Sequence, residues 1–137
     1  MGTAVSPLTP SSAPVGPVRV LVVDDDAMVR RAITRILRRF CALREAASAD
    51  EAEAALAEGG VDFILLDVRM PGRSGLDLYR TLSPAHQAQV CFITGGAASP
   101  ADEAALALLP VLRKPFTAEE LLSRLPFGPP VAAASAV

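Results

Sequence analysis

The feature that most constrains this chain is an alternation. Short apolar runs rich in Val, Ile and Leu are each stopped by polar or turn residues, and between them lie segments whose apolar positions recur every three to four residues. The runs read as buried strands and the periodic segments as amphipathic helices. Strands are expected over residues 18–23, 41–46, 61–66, 90–93 and 111–113. Helices are expected over 27–40, from the Ser48-Ala49-Asp50-Glu51 capping box to Gly59-Gly60, over 75–82 after a Met-Pro-Gly-x-x-Gly loop, from Ser99-Pro100, and from the Thr117-Ala118-Glu119-Glu120 capping box to Leu125. In the first helix Met28, Val29, Ala32, Ile33, Ile36, Leu37 and Phe40 form the apolar stripe, with Arg30, Arg31, Arg35, Arg38 and Arg39 mostly off it. Five strands alternating with five helices imply an α/β fold, a single parallel sheet covered on both faces.

The 137 residues suffice for one core and are too few for two. Residues 1–17 and 126–137, rich in Pro, Ser and Ala, read as flexible tails around a domain over 18–125. A formal charge of −2 gives no reason to expect nucleic-acid binding. No apolar run approaches the ~18 residues of a membrane span, and the start lacks the charged and apolar regions of a signal peptide, so a cytoplasmic location is expected. A formal match to a myristoylation pattern at Gly2 is too short to carry weight. Cys41 and Cys91 sit among apolar neighbours and read as buried free thiols in a reducing compartment.

In a sheet of this kind ligands bind beyond the carboxyl ends of the strands, and the unusual polar residues fall there. Asp24, Asp25 and Asp26 follow the first strand, Asp67 the third, Thr94 the fourth and Lys114 the fifth. Lys114 is the single lysine in a chain with twelve arginines. Lysine offers a compact charge that meets one oxygen in a narrow pocket, where arginine offers a planar fork. Taken singly, each feature has an ordinary explanation: a turn, a helix cap, a solvated surface charge. Jointly they suit phosphoryl chemistry. Clustered carboxylates call for a cation, and Mg²⁺, a hard ion that takes one or two carboxylates with phosphate oxygens, is the natural choice. Asp67 is then a candidate nucleophile toward an activated phosphoryl group, Thr94 a donor to a phosphoryl oxygen, and Gly95 and Gly96 an open approach.

The stretches "VLVVDDDAMVRR", "FILLDVRMPGRSGLDL", "VCFITGGA" and "RKPF" occur in the order and at near the spacing of the receiver domain of two-component response regulators, which the chain resembles over residues 18–125. The resemblance implies a doubly wound, flavodoxin-like sheet of order 2-1-3-4-5. It implies Asp67 as phosphoacceptor, Asp24 and Asp25 as the acidic pair with Asp25 the more direct Mg²⁺ ligand, and the main-chain carbonyl of Arg69 as a further ligand. Thr94 matches the switch hydroxyl, and Lys114 the phosphate-binding lysine, whose bond to Pro115 is typically cis. Asp26 is left as a cap of the first helix. The implied activity is that of a phosphoacceptor that promotes its own Mg²⁺-dependent phosphotransfer and dephosphorylation. The implied partners are a histidine kinase or histidine phosphotransfer protein and a downstream protein target, with no direct nucleic-acid or membrane binding.

Val111 departs from the family, which often has Tyr or Phe three residues before the lysine. "TGGAASPADEAAL" is similar to receivers attached to hybrid sensor kinases. No output domain is visible after Leu125, so a signal is expected to leave by protein contact or through a domain elsewhere. His86, in a Ser-Pro-Ala-His-Gln loop, reads as a surface residue. The first-helix arginines read as a solvated face, with docking of an acidic partner as the second reading. Two alternatives stand beside a phosphorylatable receiver: a receiver-like interaction module that does not switch, supported by Val111, and a metal-dependent phosphohydrolase of the haloacid dehalogenase type. The latter's signature needs threonine where the chain has Met28, and acidic ligands after the lysine that do not follow.

Overall fold

A computed structural model describes residues 17–95 and 99–125. The elements in chain order are β1 (Arg19–Val23), α1 (Ala27–Leu37), β2 (Ala42–Ala46), α2 (Ala49–Ala57), β3 (Phe63–Asp67), α3 (Gly75–Thr81), α4 (Pro84–Gln87), β4 (Val90–Thr94), α5 (Pro100–Leu106), β5 (Val111–Arg113) and α6 (Ala118–Ser123). The strands form one sheet of order β2-β1-β3-β4-β5, parallel throughout. This is the expected doubly wound architecture. The expected tails, apart from Pro17, and Gly96 lie outside the described residues.

The apolar runs form strands because both sheet faces are covered. One face carries Leu21, Val23, Ile64, Leu66 and Phe92 against Ala52, Ala55 and Leu56 of α2, Leu76 and Leu78 of α3, and Leu106 of α5. The other carries Val20, Val22, Leu65, Cys91, Ile93 and Leu112 against Ile33 and Leu37 of α1 and Leu121 of α6. All five residues of β3 and of β4 are buried, so alternation gives way to continuous apolarity in the central strands. At the sheet edge, β2 buries only Ala46 and carries Arg44 and Glu45 where the inner strands are apolar. Cys41 and Cys91 are both buried and free, and burial pushes each thiol up to about 11.

Six helices occur among the described residues where five are expected. The additional one, α4, is a single turn capped by Ser83 with Pro84 at its first position, and it takes up the Ser-Pro-Ala-His-Gln segment, leaving His86 half-buried. The first helix stops at Leu37 because the amides of Phe40 and Cys41 both donate to the Leu37 carbonyl, closing it in a turn. Its buried arc centres on Ile33 and Leu37. Met28, ~140° around the helix from Ile33, falls outside that arc and is 71 % exposed. The third strand begins at Phe63 instead of position 61, and Gly59 and Gly60 ahead of it both have positive φ, outside the extended region a strand needs.

Of the two expected capping boxes, the one at Thr117 is reciprocal with Glu120. At Ser48 the hydroxyl accepts from the Glu51 amide as expected, but the Glu51 carboxylate accepts from the Ala47 amide, one residue before the cap. A reciprocal box joins Ser74 and Asp77 at α3. Among the described residues no helix is long and apolar enough to cross a membrane.

Candidate functional site

Register brings the polar residues together. The pairing of β1 with β3 ends at Val23 opposite Leu66, so the next residues, Asp24 and Asp67, leave adjacent strands side by side. Asp67 is itself paired with Ile93, and Thr94 with Arg113, so Thr94 and Lys114 come out one step further along. The Lys114 amide donates to the Thr94 carbonyl at 2.8 Å, which fixes where the lysine stem begins. The Lys114–Pro115 peptide bond is cis, as the family pattern implies.

Asp24 is completely buried and fully engaged. Its Oδ1 accepts the Asp26 amide at 2.9 Å, its Oδ2 accepts Lys114 Nζ at 2.9 Å, and its amide donates to the Ala46 carbonyl. Asp25 is exposed, and its carboxylate accepts no hydrogen bond from a described residue. Asp26 caps α1, its carboxylate accepting the Met28 amide at 2.9 Å, and is not one of the three grouped carboxylates, although its charge acts on Lys114. Asp24, Asp25 and Asp67 offer oxygens that all lie within 4.8 Å of one another. Lys114 Nζ is 3.8 Å from Asp67 Oδ1. Thr94 is 1 % exposed, and its Oγ1 is buried with no hydrogen-bond partner among the described residues.

The electrostatics follow from three carboxylates sharing one ammonium. Burial raises the Asp67 carboxyl to about 7, helped by the charge of Asp24 and to a lesser degree Asp25, against the pull of Lys114 and the Arg69 backbone. Burial draws the Lys114 ammonium down, but its hydrogen bond to Asp24 and the charges of Asp67 and Asp24 outweigh that, and the net direction is up. The site therefore retains an excess of closely spaced anionic oxygen beside a buried hydroxyl that donates to no described residue. An all-oxygen donor set of this kind fits a hard divalent cation such as Mg²⁺, and the spare hydroxyl fits an added anion.

Two glycines keep this geometry open. A Cβ on Gly75 would lie 2.0 Å from the Asp67 carbonyl oxygen, so the last glycine of the Met-Pro-Gly-x-x-Gly loop is there to let α3 start against the end of β3. A Cβ on Gly95 would lie 3.1 Å from Cδ of Lys114, so a larger residue would press on the lysine stem. Arg69 sits on the exposed loop two residues after Asp67, where with Met70, Pro71, Ser74 and Asp102 it lines an open cavity of about 440 Å³.

The chain matches the response regulator receiver domain family over residues 20–126. The chain belongs to that family. Similar curated proteins include the transcriptional regulatory protein AruR of Pseudomonas aeruginosa, 39 % identical over 87 residues covering 56 % of this chain and 34 % of the relative. Another is the transcriptional regulatory protein CpxR of Klebsiella pneumoniae, 33 % identical over 113 residues, covering 78 % of this chain and 47 % of the relative. This receiver chain spans about a third to a half of the length of such relatives. Among solved structures, a response regulator receiver protein from Pseudomonas putida is 31 % identical with a TM-score of 0.68, covering 80 % of this chain and 96 % of the other. A CheY-like receiver domain protein from Methanospirillum hungatei is 30 % identical with a TM-score of 0.66, covering 80 % and 91 %.

One residue outside the expected set, Arg30, also reaches the site. Val111 is half-buried, lies opposite Phe92 in the sheet and packs on the same face as Tyr79, whose ring meets that of Phe92 at a centroid distance of 5.2 Å. Aromatic bulk on this face thus comes from α3 and β4, not from β5. Of the first-helix arginines, Arg31, Arg35, Arg38 and Arg39 are exposed and make no ion pair among the described residues. Arg30 differs: it turns inward, donating from Nη1 to the Asp24 carbonyl at 2.7 Å and from Nε to Glu45 Oε1 at 2.9 Å. Amphipathic periodicity alone assigns it to the solvated face. The one available signal was its place one turn into a helix that starts at the site.

Proposed function

We propose that Asp67 of this receiver domain accepts a phosphoryl group from a phosphohistidine on a histidine kinase or phosphotransfer protein, and that the resulting change around Thr94 and Lys114 controls a downstream protein. The observation that supports it most is the convergence of four strand ends on one point. A buried carboxylate, a buried hydroxyl without a partner among the described residues and an ammonium already 3.8 Å from that carboxylate meet there. In the transfer an Asp67 oxygen bonds to phosphorus as the phosphorus–nitrogen bond breaks, and the bonding pair returns to the donor imidazole, which takes up a proton. Lys114 holds a phosphoryl oxygen, and the Thr94 hydroxyl donates to another. Asp24, Asp25, Asp67 and the Arg69 carbonyl are the residues that would hold Mg²⁺, which supplies charge neutralisation for the carboxylates and the phosphoryl oxygens. Loss of the group to water resets the domain.

The test uses an acyl phosphate as donor. With Mg²⁺ the protein is expected to gain one phosphoryl mass, mapped to Asp67, and Asp67→Asn to abolish the gain. Labelling of the Asn variant at another residue overturns the assignment. A second reading, an interaction module that does not switch, is favoured by Val111, which leaves β5 without a large aromatic to reorient. Backbone amide spectra with and without a beryllofluoride phosphate mimic separate the two: changes reaching β4, α5 and β5 support the switch, and changes confined to the acidic cluster support the module.

A further inference from the structure

Asp25 presents a difficulty. It contributes to the acidic cluster, yet it is exposed and its carboxylate accepts no hydrogen bond from any described residue that would fix where it points. The restraint lies in the backbone. The peptide after Asp25 is held by its amide, since the Asp26 N–H donates to Asp24 Oδ1 at 2.9 Å. The peptide before Asp25 is held by its carbonyl, since the Asp24 oxygen accepts Arg30 Nη1 at 2.7 Å. With both flanking peptide planes held, the direction in which the Asp25 side chain leaves the main chain is set.

Arg30 is itself immobilised. Its Nε is bonded to Glu45 Oε1 at 2.9 Å, and the second Glu45 oxygen accepts Thr34 Oγ1 at 3.3 Å. The arginine side chain is 17 % exposed, which sets it apart from the exposed arginines further along α1. A planar guanidinium with two donors used in different directions is suited to this bridging, because fixing one bond orients the other. We infer that Arg30 is a positioning residue for the divalent-cation site, acting through the Asp24 carbonyl to hold Asp25 in ligating position, with Glu45 and Thr34 bracing it. The inference rests on the proposed Mg²⁺ site.

Charge and position predict opposite signs. Arg30 is a cation near a cation site, so through-space repulsion alone means that its removal tightens metal binding. If it acts by positioning, removal weakens binding, as loss of an outer-shell contact commonly does by about 10-fold or more. The probe is Mn²⁺, titrated into the full chain and followed by the electron paramagnetic resonance of the free ion. Wild type is expected to show one site that Asp25→Asn removes; absence of any such site overturns the metal reading itself, before Arg30 enters. Arg30→Met, which keeps the stem and deletes the donors, is expected to raise the dissociation constant about 10-fold, with amide shifts concentrated at residues 24–30. An unchanged or tighter constant in the folded variant overturns the inference, since a residue that only stabilises the fold does not alter the affinity of protein that is already folded. Should Arg30→Met not fold, Arg30→Lys keeps the charge but not the two-way bridge and is expected to weaken binding by about 3-fold or more; an unchanged or tighter constant there overturns the inference equally.

Discussion

Asp67 is a buried carboxyl held at about 7, and that has a cost that Asp67→Asn should expose. Its folded-state value lies above its ordinary 3.8, so between these values the folded protein binds more protons at this group than the unfolded chain. Stability from Asp67 is therefore lost as pH rises through that window and stays lost above it. Moving a carboxyl from 3.8 to about 7 corresponds to ~4 kcal/mol of ionisation cost at pH 8. Some of this is recovered by local relaxation, so the neutral isostere Asp67→Asn is expected to be ~2–4 kcal/mol more stable than wild type at pH 8 without divalent ions. The two should be about equal near pH 4, where both carry a neutral group. Urea unfolding in a chelating buffer at pH 4, 6 and 8 measures this, and the difference between variants isolates Asp67 from other titrating groups. Adding Mg²⁺ to ~100 times its dissociation constant should return ~2.7 kcal/mol to wild type and much less to the variant. Equal stabilities at pH 8 without divalent ions, or a less stable Asn variant, would refute the account of Asp67 as an uncompensated buried charge.

Three further outcomes follow from the site. Gly75→Ala places a carbon 2.0 Å from the Asp67 carbonyl oxygen, so the backbone must move, and a loss of about 3 kcal/mol in urea unfolding with greatly reduced labelling by an acyl phosphate is expected. Thr94→Ala deletes a buried hydroxyl with no partner among the described residues, so stability should stay within ~1 kcal/mol of wild type, while beryllofluoride-induced amide shifts in β4 and α5 are lost. Lys114→Arg keeps the charge but brings a fork into a pocket that holds the ammonium 2.9 Å from Asp24, so Asp67 labelling should persist while the beryllofluoride-induced shift weakens by about 1 kcal/mol or more; a full shift would show that lysine is not required.

What could be read from the sequence tracks the range over which each feature is determined. The strands stood out because β1, β3 and β4 are buried almost throughout, and a continuous apolar run has few other uses. Asp26 was legible as a cap because capping is a contact between near neighbours. The four strand-end residues were legible because parallel connectivity places all carboxyl ends on one side of a sheet. Met28 was misassigned because helical spacing gives a stripe but not which arc of it meets the sheet. Arg30 was misassigned because its partners, the carbonyl of Asp24 and the carboxylate of Glu45, come from a loop and an edge strand that no periodicity links to it. The Met-Pro-Gly-x-x-Gly loop was visible as a motif, but the reason for its final glycine, the 2.0 Å approach to the Asp67 carbonyl, depends on the packing of α3 against β3.

The bond between Lys114 and Asp24 joins residues 90 positions apart. During synthesis the aspartates leave the ribosome first, and the lysine that pairs with Asp24 follows only after β4 and α5. Until then the chain holds a group of mutually repelling carboxylates with no ammonium among them. The aspartates and the lysine therefore meet only once β3, β4 and β5 have taken their places beside β1. Assembly of the acidic cluster with its ammonium and completion of the sheet are thereby one event.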